Sequence, residues 1–550
     1  MPLDLPLELV EQILRRLPLR DLVHLSSLSS SFHDLVHNSR LLWTHHLKAS
    51  NLLVLSSDAP GCVNNLEKFK GRYLCVRELE EHLENLSHQH IHNTIVEIDL
   101  DQDPIVSCLL SPDLREITHR HLSNSLLSSN KFTSLTSKLY SRHLLVALTQ
   151  AGIIRELMKC VPTEPGAVFQ GSLLISRWVG ACLGELSIIH SVQPTECIPV
   201  HQTVEDIVNQ CRARLTPASN IEEVLGVINR VLYQDFGLRK NADNYYDFEN
   251  NRIDKVLYKK TGIPITIAIL YHEVATRLGL SLSLINFPRH FLLSFQGTSG
   301  DTMYIDCFNE GDILSRTQCL QLCPMSNIAD KDYYFQPTTC LQVLSRLVRN
   351  VIAFGQIVPI HHNRAFFALN LYKIMSYLAP EDYDSAVHAM NFSLDLRIKC
   401  TFLQKFTCIE PDVWSKYCRR VGQAAESLKE HLSVKRSKPD RVLFKIGSVM
   451  LHVRYNYTCV VYGWDECCMM GEQWQERMGI SQLDHQASQP YYKVLAEDDS
   501  ERYVAQENLL ETRSVFISHR DVGKYFSMYD GERFVPNAAL RSIYTYLGND

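Results

Sequence analysis

The stretch Leu5-Pro6-Leu7-Glu8-Leu9, continued by Ile13-Leu14, Leu17, Asp21-Leu22, Leu25, Phe32, Leu35 and Leu42-Trp43, decides how this chain begins to fold. Pro6 suits the first turn of a helix, where its missing N–H would have no partner in any case. Leu9, Ile13 and Leu17 recur every four residues on one face, with Val10 and Leu14 beside them. Pro18 ends that helix, Arg20-Asp21-Leu22 opens a second, and a third is expected around residues 31–35. Fewer than about 50 residues rarely bury enough apolar surface to fold alone. So dense a set of leucines therefore calls for a partner helix or a partner protein.

Composition bounds the remainder. A chain of 550 residues should hold more than one domain. Its 45% hydrophobic and 21% charged content is globular, and a net charge of −6 gives no reason to expect a general nucleic-acid or membrane binder. Asp4 and Glu8 stand where a basic-then-apolar signal peptide would begin. The longest apolar run, residues 263–271, is far short of the ~20 needed to span a bilayer. Seventeen cysteines lie between Cys62 and Cys468 without a C-x-x-C pair, which reads as reduced thiols in a soluble cytoplasmic and/or nuclear protein. The histidine clusters His88-x-His90-x-His92 and His119-x-His121 lack carboxylate or thiolate partners at ligand spacing, so no metal and no cofactor are expected.

Along the chain, residues 50–165 read as a helical linker region broken at Asp58-Ala59-Pro60-Gly61 and near residues 101–104. Residues 166–340 are mixed, and residues 341–433 return to helical spacing through Leu341, Leu344, Leu347 and Val351. The run Val434-Lys435-Arg436-Ser437-Lys438-Pro439 is a polar, basic linker. Beyond it, in residues 436–535, the period changes to two and short half-buried strands are expected. The fold class is a multidomain α+β chain.

The N-terminal string resembles the F-box over about residues 3–47. That resemblance implies a three-helix module, residues 1–49, docked on a Skp-family adaptor that connects to a cullin and a RING subunit. The contacts it implies are Leu5, Pro6, Leu9, Ile13, Leu17, Leu22, Leu25 and Trp43. The sequence departs from the common pattern at Ser26-Ser27-Leu28-Ser29-Ser30-Ser31, where a Val followed by a basic residue is usual.

The middle segment carries Asn244-Tyr245-Tyr246-Asp247, Gly262-Ile263-Pro264-Ile265-Thr266, Arg277-Leu278-Gly279, Phe287-Pro288-Arg289-His290-Phe291-Leu292 and Tyr304-Ile305-Asp306-Cys307-Phe308. It resembles the SirB-type branch of the transglutaminase-like superfamily, with the helical tail that follows it there. Active members use Cys, His and Asp as nucleophile, proton carrier and orienting carboxylate. His290 and Asp306 match the last two. They flank Gly297-Thr298-Ser299-Gly300, and a hairpin centred on Ser299 would set them diagonally on one sheet face. The family's nucleophile spacing, counted back from Ala268 and from Gly279, lands on Pro264 both times. Proline has no nucleophile, and Cys307 should face away from Asp306 on its strand. Intrinsic catalysis is therefore not expected; His290 and Asp306 are vestigial candidates.

The last segment carries Phe444-x-Ile446-Gly447, His452, Tyr457, Gly463-Trp464-Asp465, Gln489-Pro490-Tyr491-Tyr492 and Tyr503-Val504-Ala505-x-Glu507-Asn508-Leu509. It resembles the YccV/HspQ-type domain, also labelled hemimethylated-DNA-binding, which implies a small β-barrel-like fold. From Arg436 to Glu511 there are 8 Lys and Arg against 12 Asp and Glu. Phosphate binding needs clustered cations, so a protein segment is the better match than DNA. His452, Trp464, Tyr492, Tyr503 and Asn508 are the candidate substrate-binding residues. The three resemblances together imply the substrate-recognition subunit of a Skp–cullin–F-box ubiquitin ligase, feeding proteins toward proteasomal degradation. The alternatives are DNA binding through the YccV-like domain, or residual hydrolase or acyl-transferase chemistry in the transglutaminase-like one.

Overall fold

The computed structural model describes residues 6–50, 52, 65–93, 95–108, 112–127, 134–160, 167–185, 198–297, 300–322, 332–355, 364–432, 436–512 and 515–547. The chain divides into two compact units. The first combines Met1–His92, Leu100–Leu145 and Lys429–Asp550; the second combines Asn93–Asp99 and Val146–Leu428. Leu5 lies outside the described residues.

The first unit opens with α1 (Leu7–Leu14), α2 (Leu19–Leu28), α3 (Ser30–Asn38) and α4 (Arg40–Ala49). The three expected helices are thus joined by a fourth, and serine is the reason. Ser29 and Ser39 leave the helical backbone region, and each hydroxyl accepts from the N–H three residues on, Phe32 at 3.3 Å and Leu42 at 3.2 Å. The Ser-rich stretch is in part a capping device. Val10, Leu14, Leu22, Val36, Leu42, Trp43 and Leu47 form a core that these helices do not close by themselves. Leu66 and Phe69 of α5 (Asn65–His90) and Ile117 of α6 (Pro112–Leu127) complete it, with the rings of Trp43 and Phe69 5.3 Å apart.

In the second unit α7 (Pro264–Arg277) is buried along nearly its whole length. Beside it runs an antiparallel sheet of β1 (Ser283–Ile285), β2 (Leu292–Gln296), β3 (Thr302–Asp306) and β4 (Asp312–Leu314), in sequence order. Gln296 pairs with Thr302, so β2 and β3 form a hairpin; Ser299, where the sequence predicts the centre of its turn, lies outside the described residues. Helices at Ala167–Cys182, Cys340–Gly355, Arg364–Leu378 and Tyr383–Asp395 build the rest of the core. Buried Asn370 links them: its side-chain oxygen accepts from Gln150 Nε2 at 2.7 Å and its carbonyl from Trp178 Nε1 at 3.0 Å.

The first unit is completed by β5 (Val449–His452), β6 (Thr458–Asp465), β7 (Tyr491–Ala496), β8 (Glu501–Ala505) and β9 (Leu509–Glu511), paired antiparallel in the order β8-β7-β6-β5-β9. Among the described residues no pairing joins β8 to β9, so the sheet is not a closed barrel. The expected half-buried alternation does not describe β6 and β7, which are buried on both faces. Residues beyond 511 supply the cover: Ile517, Phe526, Phe534, Leu540 and Tyr544 share the sheet's core. Gly447 permits this closure. Its φ is +89°, and a Cβ there would lie 2.0 Å from the Phe534 carbonyl oxygen. No helix of the described residues is long and apolar enough to cross a membrane.

Candidate functional site

Three places answer to the residues singled out in the sequence. The first is α1, which carries two apolar stripes. Val10 and Leu14 point into the core, whereas Leu9 and Ile13, one residue earlier in each turn, stay 46% and 48% exposed. Leu28 and Leu41 are exposed as well, and Pro6 lies on the surface. Leu17 and Leu25 are half-buried against the core. Leu22 and Trp43, expected on the adaptor face, are 0% and 4% exposed and belong to the core instead. Trp43 Nε1 donates to the Val36 carbonyl at 2.5 Å, so both ends of the indole are used internally. Full burial of one leucine contributes about 1.5–3 kcal/mol, so leaving two such side chains in water on one helix is a large unrealised contribution.

The second place is the His290–Asp306 pair. His290 sits before β2 in a turn where Arg289 takes a positive φ of 58° and the His290 N–H bonds to the Phe287 carbonyl. Arg346 fixes this turn by donating to the carbonyls of Phe287 at 3.0 Å and His290 at 2.7 Å. His290 Nε2 donates to Asp306 Oδ1 at 2.8 Å. The same carboxylate accepts from the N–H groups of Phe308 and Asn309, and from Asn309 Nδ2 at 2.7 Å. Burial opposes its charge, yet these donors hold the Asp306 carboxyl below the ordinary carboxylate range. The Phe308 ring stands 6.0 Å from the imidazole, and Tyr245 packs on Phe308 in turn.

No described side chain supplies an activated thiolate to this pair. Pro264 is the first residue of α7, where its ring suits the helix start. The Thr266 hydroxyl is consumed locally, donating to the Asn250 carbonyl at 2.9 Å and accepting from the Ile263 N–H at 3.2 Å. Strand β3 ends at Asp306, and Cys307 opens a 3-10 turn, so strand alternation does not decide where Cys307 points. Burial pushes the Cys307 thiol well above its ordinary value. Sequence reasoning did not single out Arg346: it comes from a distant helix, and nothing in its local pattern marks it.

The third place is the C-terminal sheet, where the expected binding residues prove to be mostly interior. Tyr492 is fully buried, accepting from the Phe444 N–H at 3.1 Å and donating to Gln506 Oε1 at 2.6 Å. Trp464 is paired with it across the β6–β7 ladder and donates from Nε1 to the Tyr546 hydroxyl. His452 is buried, its Nδ1 accepts from the Tyr455 N–H, and burial lowers its pKa. Tyr503 is half-buried and donates to Asp465 Oδ2 at 3.0 Å. Asn508 closes a 3-10 turn and its carbonyl accepts from the Val453 N–H. Most of these candidate residues therefore belong to a packed interior, because the segment after residue 511 covers the second sheet face. Asp465 also takes Arg436 at 2.8 Å, which makes the Gly-Trp-Asp motif an internal charge hub.

Residues 2–44 match the family model for the F-box domain, residues 199–349 that for the transglutaminase-like superfamily, and residues 442–533 that for the hemimethylated DNA-binding protein YccV like family. With the outward stripe of α1, these modules place the chain among the multidomain F-box proteins and support a substrate-recognition role for the chain. F-box only protein 21 of Mus musculus is 32% identical over 467 residues, covering 75% of this chain and 71% of the mouse protein. F-box only protein 21 of Homo sapiens is 28% identical over 604 residues, covering 98% and 91%. The chain belongs to the F-box only protein 21 family. A UPF0162 protein of Xylella fastidiosa is 36% identical over 99 residues, 17% of this chain and 35% of the bacterial one. No solved structure matches the chain.

Proposed function

We propose that the chain is the substrate receptor of a Skp–cullin–RING ubiquitin ligase, working in the cytoplasm or nucleus and directing bound proteins toward degradation. The observation that carries this reading is the double stripe of α1: Val10 and Leu14 complete the core while Leu9 and Ile13 remain exposed. A helix that has met its own packing needs and still presents Leu and Ile at i, i+4 spacing fits a helix-lined partner surface. The Skp-family adaptor would cover that stripe, and the cullin and RING subunit would bring the charged ubiquitin carrier. The other modules would hold the substrate, so the receptor contributes proximity rather than covalent chemistry.

The test is co-purification of the full chain with a Skp-family adaptor and cullin, beside Leu9→Asp/Ile13→Asp. Both positions are exposed, so the variant should fold. Loss of the adaptor from the variant alone supports the reading; equal recovery with both forms, or with neither, overturns it. A residual acyl-transfer activity is the second reading, favoured by the 2.8 Å His290–Asp306 bond. It requires a nucleophile that Pro264 does not provide. DNA binding is disfavoured by the acidic balance of residues 436–511.

A further inference from the structure

A cavity of about 460 Å3 opens against α5, α6 and the short helix Pro104–Cys108, all within the first unit. That volume lies in the range of small-ligand and side-chain pockets. Leu74, Ile105 and Leu114 give it an apolar lining, and Leu74 is 53% exposed at its mouth. Glu78 and Glu81 are the carboxylates among its lining residues, and no Lys or Arg is among them. Glu78 has no ion-pair partner among the described residues. Glu81 meets Arg77 at 3.5 Å with both side chains exposed, a pair of little strength.

The wall is built in advance of any ligand. His82 Nε2 bonds to Asp103 Oδ2 at 3.0 Å, while Asp103 Oδ1 accepts from the N–H groups of Ile105 and Val106. Gly71 adds a separate observation. It lies inside α5, where glycine costs roughly 1 kcal/mol relative to alanine, yet a Cβ there would meet nothing within 4 Å. Packing does not demand this glycine. Its bare Cα leaves the cavity mouth open.

We propose that this cavity docks a peptide segment of a protein substrate, seating one bulky apolar side chain and setting Lys or Arg against Glu78 and Glu81. The assignment of that peptide to a ubiquitination substrate rests on the receptor reading. The apolar lining selects the anchor side chain, and the carboxylates select the sign of its neighbours. An acidic segment would be repelled at the same rim.

The experiment uses the full chain and short fluorescein-labelled peptides with a central Leu, Phe or Trp flanked by Lys and Arg, beside counterparts carrying Glu at the basic positions. Fluorescence anisotropy should show binding of at least one basic peptide and of none of the acidic ones. Glu78→Lys/Glu81→Lys should weaken that binding by about tenfold or more, equivalent to about 1.4 kcal/mol. Gly71→Phe should block it while leaving helix content and melting temperature unchanged or higher, because the new side chain enters open space. Absence of binding by every basic peptide, or binding unaltered in both variants, overturns the proposal. Adaptor co-purification is run on the parent chain beside the peptide assay. Peptide binding without recovery of the adaptor would remove the receptor reading alone; recovery of the adaptor without binding of any basic peptide would remove the cavity alone.

Discussion

Asp306 receives the His290 Nε2 hydrogen at 2.8 Å and three further donors from Phe308 and Asn309, so a carboxylate that is only 1% exposed is fully satisfied within its own turn. The position spaced as a nucleophile for this pair is Pro264. The pair has a structural role of its own: Asp306 caps the turn that leaves β3, and His290 ties the entrance of β2 to that turn.

Asp306→Ala should therefore destabilise the second unit by about 2–4 kcal/mol, since it strands several buried donors. His290→Ala, which removes one partner, should cost roughly 1 kcal/mol. Urea unfolding followed by circular dichroism measures both. Equal effects would contradict the turn-capping role.

The lowered pKa of Asp306 also sets a pH dependence. A carboxyl depressed in the folded state stabilises above its unfolded value of about 3.9, and that stability is lost as pH falls through the lower folded value. Melting temperature should thus drop below about pH 4 more steeply in the parent than in Asp306→Asn. Parallel pH profiles would rule the linkage out.

Pro264→Cys tests whether the nucleophile position is where the spacing puts it. A thiol at the first residue of α7 lies at a helix N-terminus, which lowers its pKa. Position 264 is buried, which opposes the helix-terminus effect. Peptide-level mass spectrometry should therefore compare the single variant with Pro264→Cys/His290→Ala, and alkylation by iodoacetamide at about pH 7 should be slower in the double variant, where the neighbouring imidazole is gone. Insensitivity to His290 would mean that the two positions do not form one site.

The C-terminal aromatics should behave as core. Trp464→Ala should destabilise the first unit by about 3–5 kcal/mol, and Tyr503→Phe by about 1 kcal/mol, because the Met469 N–H loses its acceptor while Asp465 Oδ2 keeps Lys493 at 3.7 Å. Asn537→Ala should cost about 2–4 kcal/mol, because its Nδ2 donates to Ser87, Thr136 and the Lys524 carbonyl while Oδ1 caps Leu540. Thermal unfolding distinguishes these from surface substitutions, which should shift little.

Much of the molecule is legible in its residues. Leu, Ile and Pro spacing marks the N-terminal helices, the change of period after residue 436 marks the C-terminal strands, and the motifs around His290 and Asp306 mark the two strands that pair as a hairpin. Local chemistry suffices there, because capping, proline geometry and strand register act over a few residues. Spacing alone could not say which stripe of α1 is spent on the core, since Leu9 and Val10 are equally apolar and differ only in what lies opposite. Nor could it place Trp464 and Tyr492 inside: they are covered by Phe526, Phe534 and Tyr544, distant in sequence. The same holds for Arg346 at the His290 turn and for the cavity beside Gly71. Periodicity fixes the face a side chain occupies, whereas burial and pockets depend on which remote segment packs against that face, and only the tertiary structure decides that.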